Sequence, residues 1–249
     1  MKAESLQDLI AWTPPEQKWI IKHLLVPKAR LIIFGQWGSF KSMLAIHTLF
    51  CVGTGRTWIT SPTARCTVLL LQAEIPKIMH VERVLKYAKS HNLYPEGLWF
   101  MTEQDIKLDT PQGIAKLDSI LTVVKPGLLI IDPIYRFLSG DITSNWQVDK
   151  LLSAIDSLAN KHNFGTILIS HTRKPVQMVD GQANTINWGH ELIGASYFQD
   201  WTDSAMAVEP VPMVDTIRLH FTKHRLSEIL LPQNMTMKFE RSTLAWRII

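Results

Sequence analysis

One short segment constrains the fold of this chain more than any other: an apolar run leads through a glycine-containing loop into an apolar helix. Residues 31–34 are Leu-Ile-Ile-Phe, the loop ends in Lys41-Ser42, and residues 43–50 are mostly apolar. In this arrangement, backbone N–H groups of the loop and of the helix N-terminus converge on an anion. The lysine adds a positive charge for the β- and γ-phosphates, and the serine hydroxyl can ligate Mg²⁺. The segment therefore predicts a strand–loop–helix unit that binds phosphate.

The loop follows the pattern G-x-x-x-x-G-K-[ST] with one departure. Gly35 lies six residues before Lys41, as the pattern requires, but Phe40 stands where the second glycine is expected. The backbone approaches the nucleotide closely at that position, so we expect Gly38 and Ser39 to supply the flexibility instead. An ordinary buried strand and turn is the alternative, and the context on both sides favours the nucleotide-binding loop. Its predicted contact residues are Gly35, Gln36, Trp37, Gly38, Ser39, Phe40, Lys41 and Ser42.

Length and composition predict one domain over residues 1–249, with residues 1–30 as a leader segment. The chain has 249 residues, of which 46% are apolar and 19% charged, enough for a sizeable core. A net charge of +4 is compatible with a nucleic-acid partner but does not require one. Cys51 and Cys66 form neither a disulfide framework nor a zinc spacing. With no signal peptide and no run long enough to span a bilayer, we expect a cytoplasmic protein without a membrane partner.

Four apolar runs, nearly continuous rather than alternating, predict strands that are buried on both faces of a parallel sheet. They cover residues 31–34, 67–72, 127–131 and 165–170, and helix candidates lie between them at 42–51, 76–90, 112–124 and 146–161. Beyond residue 190, strand candidates follow at 204–208, 215–222, 229–232, 235–239 and 243–249. We therefore predict an α/β fold in which a mostly parallel sheet is flanked by helices and extended by C-terminal antiparallel strands.

Polar residues follow three of these runs and are candidates for the chemistry of a nucleotide hydrolase. Asp132 ends the third run and is predicted to contact the nucleotide and, together with Ser42, to hold Mg²⁺. Glu74 follows the second run and can act as a general base on water; a solvated strand end or a helix N-cap is the alternative. His171 follows the fourth run and can sense the γ-phosphate through a hydrogen bond, although a lone histidine more often has a structural role.

The order of these motifs resembles that of the RecA-like ATPases, and most closely the plasmid RepA-type hexameric replicative helicases. The phosphate loop comes first, then Glu74, then Asp132-Pro133, then Ile-Ser-His at 169–171. The position of Glu74 after the second strand, rather than beside Asp132, is the discriminating feature. The resemblance covers about residues 17–230. It implies a RecA-like P-loop core that uses ATP and Mg²⁺, with Lys41, Glu74 and His171 in catalysis.

The resemblance also implies that the chain forms an oligomer with itself. Lys223-His224-Arg225 closes the strand candidate 215–222, and a K-x-R pair in this family reaches the nucleotide of the neighbouring subunit. Alternate residues of a strand point to one face, so Lys223 and Arg225 would point together. An arginine supplied by a neighbour stabilises charge on the transferring phosphoryl group. The expected assembly is a hexamer; a basic strand end in a hairpin is the alternative.

A long polar segment at 173–193 follows the sensor strand, where RecA-like proteins have a DNA-binding loop. Arg173, Lys174 and His190 could contact phosphates, and Trp188 could stack on a base. Residues 133–145 are a second candidate loop. The alternative is a mobile lid without a nucleic-acid contact.

Two functions of different classes follow from these observations. The first is a ring-forming motor of a plasmid, phage or mobile element, which hydrolyses ATP to translocate on single-stranded DNA. The chain has room for the motor domain, so a loader, primase or initiator would be a separate protein. The second is an ATP-dependent assembly or regulatory switch of the recombination-mediator or KaiC-like type, with slow hydrolysis. Replacement of the glycine by Phe40 slightly favours the switch.

Overall fold

The core of the molecule is a sheet of nine strands in the computed structural model, which describes residues 3–102, 105–172, 195–228 and 232–249. The strands are β1 (Arg30–Gly35), β2 (Val68–Gln72), β3 (Leu98–Thr102), β4 (Leu128–Asp132), β5 (Gly165–His171), β6 (Ser204–Pro210), β7 (Thr216–His224), β8 (Asn234–Glu240) and β9 (Ala245–Ile248). Their order across the sheet is β3-β2-β4-β5-β1-β6-β7-β8-β9. The first six strands in this order run parallel, and β7, β8 and β9 are antiparallel. The predicted fold class is confirmed.

Helices cover both faces of the sheet. Those among the described residues are α1 (Leu6–Ala11), α2 (Lys41–Thr54), α3 (Lys77–His91), α4 (Pro111–Val124), α5 (Asn145–His162) and α6 (Ala195–Trp201). One hydrophobic core joins α2 and α3 to one face, and a second core joins α4, α5 and α6 to the other. Within these described ranges, no helix combines the length and the apolar character needed to cross a membrane.

Strand β1 shows why the apolar runs do not alternate. Leu31 and Ile33 belong to the core beneath α2, whereas Ile32 and Phe34 belong to the core on the opposite face. All four side chains are almost fully buried. Successive residues of a strand point to opposite faces, so a strand covered on both sides needs apolar residues at every position.

Two segments differ from the expectations, and a third cannot be compared with them. Strand β3 was not predicted, because it is a half-exposed strand with one β-branched residue, Thr102, and pairs with β2 at the edge of the described sheet. Helix α1 lies in the predicted leader; Ser5 and Asp8 form a capping box at its start, and its residues are exposed. The strand predicted at 229–232 cannot be compared, since residues 229–231 lie outside the described part of the chain.

Candidate nucleotide-binding site

Four neighbouring parallel strands, β2, β4, β5 and β1, end at the same edge of the sheet. Gly35 at the end of β1 pairs with His171 at the end of β5, and Gln72 of β2 pairs with Asp132 of β4. Adjacent strands lie about 4.8 Å apart, so residues that follow them meet in one crevice. A pocket of about 690 Å³ opens there. Its polar side, the phosphate end, contains Lys41, Ser42, Glu74, Asp132 and His171.

The phosphate loop closes around the ammonium group of Lys41. The Lys41 Nζ donates hydrogen bonds to the carbonyl oxygens of Gly35 at 2.9 Å and Gln36 at 2.6 Å, and to Ser39 Oγ at 3.1 Å. Burial lowers the pKa of Lys41 to about 8, and the charges of Asp132 and Glu74 oppose this shift. Only glycine fits at position 35, because a Cβ atom there would lie 2.3 Å from the carbonyl oxygen of Val208 in β6. The loop is therefore held in one shape by its own contacts.

Phe40 keeps the backbone shape that a glycine would give. Its φ of 59° and ψ of 18° are in the left-handed region, which costs a non-glycine residue about 1–2 kcal/mol. The ring packs on Phe239 of β8 with centroids 4.9 Å apart, so it lies beside the phosphate end. Gly38 also has a positive φ, of 77°, whereas Ser39 is buried and its Oγ donates to the Gln36 carbonyl at 2.7 Å. Ser39 thus braces the loop rather than loosening it.

Asp132 is buried at the base of the phosphate end. The Ser42 hydroxyl bonds to its carboxylate, while its Oδ1 atom has no hydrogen-bond partner among the described residues. Burial raises the pKa of Asp132 to about 6, and the Ser42 hydrogen bond opposes this shift. An unpartnered carboxylate oxygen beside a hydroxyl is a donor set that suits Mg²⁺, which prefers hard oxygen ligands. These two residues therefore fit the predicted metal role.

The raised pKa of Asp132 predicts a gain in stability from a neutral side chain. The native state binds the proton more tightly than the unfolded chain, whose pKa is near 3.8, so stability falls as pH rises from about 4 to 6. At pH 7 in EDTA, Asp132→Asn should raise the free energy of unfolding by about 1–3 kcal/mol. Urea unfolding checks this, with Asp149→Asn on the exposed face of α5 as the control. Equal stability of Asp132→Asn and wild type at pH 7 would contradict it.

Glu74 and His171 face each other across the phosphate end. The His171 Nε2 lies 3.9 Å from Glu74 Oε1. Burial and then the charge of Lys41 lower the pKa of His171, against the opposing charge of Glu74. His171 is therefore neutral at pH 7, and one of its ring nitrogens can donate a hydrogen bond. The helix that follows Glu74 has Pro76 as its N-cap, so the N-cap alternative for Glu74 is wrong.

Gln72 is a positioning residue that sequence reasoning missed. It is buried at the end of β2, and the orientation of its amide that satisfies its neighbours has the oxygen accepting from the N–H groups of Glu74 at 3.0 Å and Ile75 at 2.7 Å. These bonds fix the turn that presents Glu74 to the pocket. The sequence does contain a signal for this role: a polar residue ends an apolar run two positions before the candidate base.

Three cations at the mouth of the pocket were also not assigned a role from the sequence. Arg83 and Lys86 come from α3, and Arg241 follows β8. Lys86 Nζ donates to the backbone carbonyl of Arg241 at 2.8 Å, which joins the two elements. Arg83 and Lys86 lie nine and twelve residues after Glu74, whereas Arg241 reaches the site only through the C-terminal strands.

Lys223 and Arg225 lie at the opposite end of the sheet from the pocket of their own chain. His224 pairs with Ser204, the first residue of β6, whereas the phosphate loop follows the other end of β1. Lys223 Nζ donates to the Gln199 carbonyl, and the Arg225 guanidinium donates to the Asp200 carbonyl at 3.4 Å, so both contact the end of α6. Any contact of this pair with a nucleotide requires a second copy.

The four predicted nucleic-acid contacts, Arg173, Lys174, Trp188 and His190, lie outside the described residues. Part of the second candidate loop is described: Tyr135 stands against His171 with ring centroids 5.6 Å apart, and the Arg136 guanidinium lies 5.5 Å from the Tyr135 ring. Trp37 in the phosphate loop is 85% exposed. The loop beside His171, the predicted sensor, therefore carries an exposed cation, Arg136.

Comparisons with known proteins agree with this architecture. A family model described as "AAA domain" matches residues 1–177. The fold is similar to the crystal structure of the RadB recombinase, with 18% identity, a TM-score of 0.58, and coverage of 88% of this chain and 90% of that one. It is similar to the flagellar accessory protein FlaH from Methanocaldococcus jannaschii (11% identity, TM-score 0.60, 89% of each chain). It is also similar to a further solved structure, that of an ATPase domain (11% identity, TM-score 0.66, 88% of this chain and 84% of that one). No curated protein sequence matches significantly.

Proposed function

This chain belongs to the AAA domain family and has a RecA-like P-loop ATPase fold, and from that premise we propose that it is a ring-forming motor that hydrolyses ATP to translocate on single-stranded DNA. The proposal of ATP hydrolysis is supported by one observation: five polar side chains line the same pocket, namely Lys41, Ser42, Glu74, Asp132 and His171. These residues come from four strand ends and supply a phosphate site, a metal site, a base and a sensor.

Each residue of the phosphate end has a separate task in the proposed reaction. Lys41 exchanges its bonds to loop carbonyls for bonds to the β- and γ-phosphates, and the N–H groups at the start of α2 bind the same anion. Ser42 and Asp132 would hold Mg²⁺, which neutralises charge on the phosphates when bound. Glu74 accepts a proton from the attacking water, and neutral His171 donates a hydrogen bond to the γ-phosphate.

The geometry of His171 supports a link between hydrolysis and DNA. His171 ends β5, and the predicted DNA-contacting segment begins two residues later with Arg173. A change in the hydrogen bond between His171 and the γ-phosphate would thus be transmitted directly along the backbone to that segment. The position of Lys223 and Arg225, away from their own pocket, supports a ring in which each copy completes the site of its neighbour.

Hydrolysis measured with and without an oligonucleotide tests the motor. We expect single-stranded DNA to raise the ATPase rate at least about tenfold, because the loop after the sensor strand would couple the two sites, and Lys41→Ala to abolish both rates. Lys18→Ala, at an exposed residue of the leader, is a control variant outside the pocket. A basal rate that Lys41→Ala removes but that no oligonucleotide changes would contradict the motor.

The second candidate is an ATP-dependent assembly switch, and the conformation of Lys41 is the observation that favours it. The ammonium group makes three hydrogen bonds within its own loop, and these must exchange before phosphate binds. Slow turnover together with ATP-dependent oligomers, seen by light scattering and unaffected by DNA, would select the switch over the motor.

A further inference from the structure

The pocket contains a second, apolar end that phosphate binding does not explain. It is formed by Phe40 before α2, Met43 in the first turn of α2, Phe239 at the end of β8, and Leu244 before β9. Met43 and Leu244 are each only 7% exposed, and Phe239 is 4% exposed. The Phe239 ring also packs on Trp246, with centroids 4.9 Å apart. The apolar end is thus a packed wall that joins the phosphate loop to the C-terminal strands.

Arg241 is fixed over this wall with its guanidinium beside the Phe40 ring. The distance from the guanidinium carbon to the ring centroid is 5.6 Å. Asp215 holds the group by a bidentate ion pair, with Nη2 to Oδ1 at 2.6 Å and Nε to Oδ2 at 2.7 Å. The Arg241 side chain is nevertheless 70% exposed, so a flat surface remains open toward the pocket mouth. A pinned guanidinium on an aromatic ring is a stacking surface for a planar base.

We propose that Phe40 and Arg241 form a platform on which the base of a purine nucleoside triphosphate stacks. The inference rests on the proposed function, since it assigns the part of the ligand that lies beyond the phosphates. The side chains of Phe40, Phe239 and Leu244 have no hydrogen-bonding group and Met43 has only a weak thioether acceptor, so at this end the base is held mainly by stacking. The site therefore takes adenine and guanine nucleotides alike, and binds pyrimidine nucleotides more weakly because their rings are smaller.

This platform explains why a phenylalanine occupies a left-handed position. A glycine at residue 40 would meet the backbone requirement without strain, but it would remove the ring that Arg241 and Phe239 contact. The strain is offset by an aromatic cluster that holds the loop against β8. The departure from the phosphate-loop pattern is thus a base-binding feature.

Binding of whole nucleotides and of inorganic tripolyphosphate separates the two ends of the pocket. Isothermal titration of the full chain in Mg²⁺ should give similar Kd values for ATP and GTP, with CTP about tenfold weaker. Phe40→Leu keeps an apolar side chain without a ring, and Phe40→Gly restores the pattern without strain. Both substitutions should raise the Kd values for ATP and GTP about 5- to 50-fold and leave the Kd for tripolyphosphate within about twofold of the wild-type value.

A second variant and a distant control separate loss of the platform from misfolding. Asp215→Asn removes the ion pair with Arg241 but tolerates the positive φ of 54° at that residue, so the fold is retained while the guanidinium is released. Asp215→Asn should also raise the Kd for ATP, by about 2- to 10-fold, without changing tripolyphosphate binding. Trp12→Ala, at an exposed residue of the leader, should change neither Kd.

The outcomes distinguish this proposal from the function on which it rests. If wild type binds neither ATP nor tripolyphosphate, the proposed ATPase function fails. If Lys41→Ala abolishes binding of both but the Phe40 variants weaken ATP and tripolyphosphate equally, Phe40 only shapes the loop and the platform is wrong. Strong preference for ATP over GTP, or equal binding of CTP and ATP, would also overturn it.

Discussion

Glu74→Gln should lower the rate of ATP hydrolysis by about 10²–10⁴-fold while leaving ATP affinity within about threefold. The amide has the same shape as the carboxylate but cannot accept a proton from the attacking water. In the amide orientation that satisfies its neighbours, Gln72 bonds to the backbone N–H of residue 74 and not to its side chain, so the turn should persist. Single-turnover hydrolysis and isothermal titration measure the two quantities separately.

The matched control for this prediction is Glu82→Gln, an exposed carboxylate eight residues along the chain in α3. It should hydrolyse ATP at the wild-type rate, because Glu82 is not among the residues that line the pocket. If Glu74→Gln loses as much affinity as rate, the carboxylate serves in binding and not as a base. An unchanged rate would require another proton acceptor.

The polar residues of the site could be predicted because each one follows a recognisable apolar strand. Asp132 and His171 come directly after buried runs, and parallel strands covered by helices bring such positions to one edge. Lys41 and Ser42 are fixed by local spacing in the same way. The order of motifs along the chain was enough, because the carboxyl ends of parallel strands lie at the same edge of the sheet whichever of these strands are neighbours.

The apolar end and its cation could not be predicted, because they depend on contacts between distant segments. Arg241 and Phe239 are about 200 residues from Phe40, and they reach it only because β7, β8 and β9 extend the sheet beyond β6. No local sequence pattern predicts that the C-terminal antiparallel strands contact the phosphate loop. The edge strand β3 was missed for a related reason, since pairing with β2 rather than burial holds it.

Arg225→Ala should reduce ATP hydrolysis by about 10³–10⁵-fold in the assembled protein if the arginine acts on the nucleotide of a neighbour. The fold should tolerate the change, because Arg225 is exposed and its guanidinium makes one long bond, 3.4 Å, to the Asp200 carbonyl. Its backbone N–H, which donates to the Asp203 carbonyl at 3.0 Å, is retained. ATP affinity measured on the dispersed monomer should be unchanged, since the residue lies at the opposite end of the sheet from its own pocket. Arg247→Ala in β9 removes an exposed arginine elsewhere and should leave the rate at its wild-type value.

Mixing two inactive variants gives the decisive measurement of this arrangement. A site needs Glu74 from one copy and Arg225 from the next, so an Arg225→Ala subunit beside a Glu74→Gln subunit forms one intact site. Random assembly at equal concentrations places both native residues at about a quarter of the interfaces, so about a quarter of the wild-type rate should return if interfaces act independently. Exchange of fluorescently labelled subunits verifies that mixed rings form. Mixed rings that are no more active than the sum of the separate variants would show that Arg225 does not act across the interface, because a residue serving its own chain cannot be supplied by a partner.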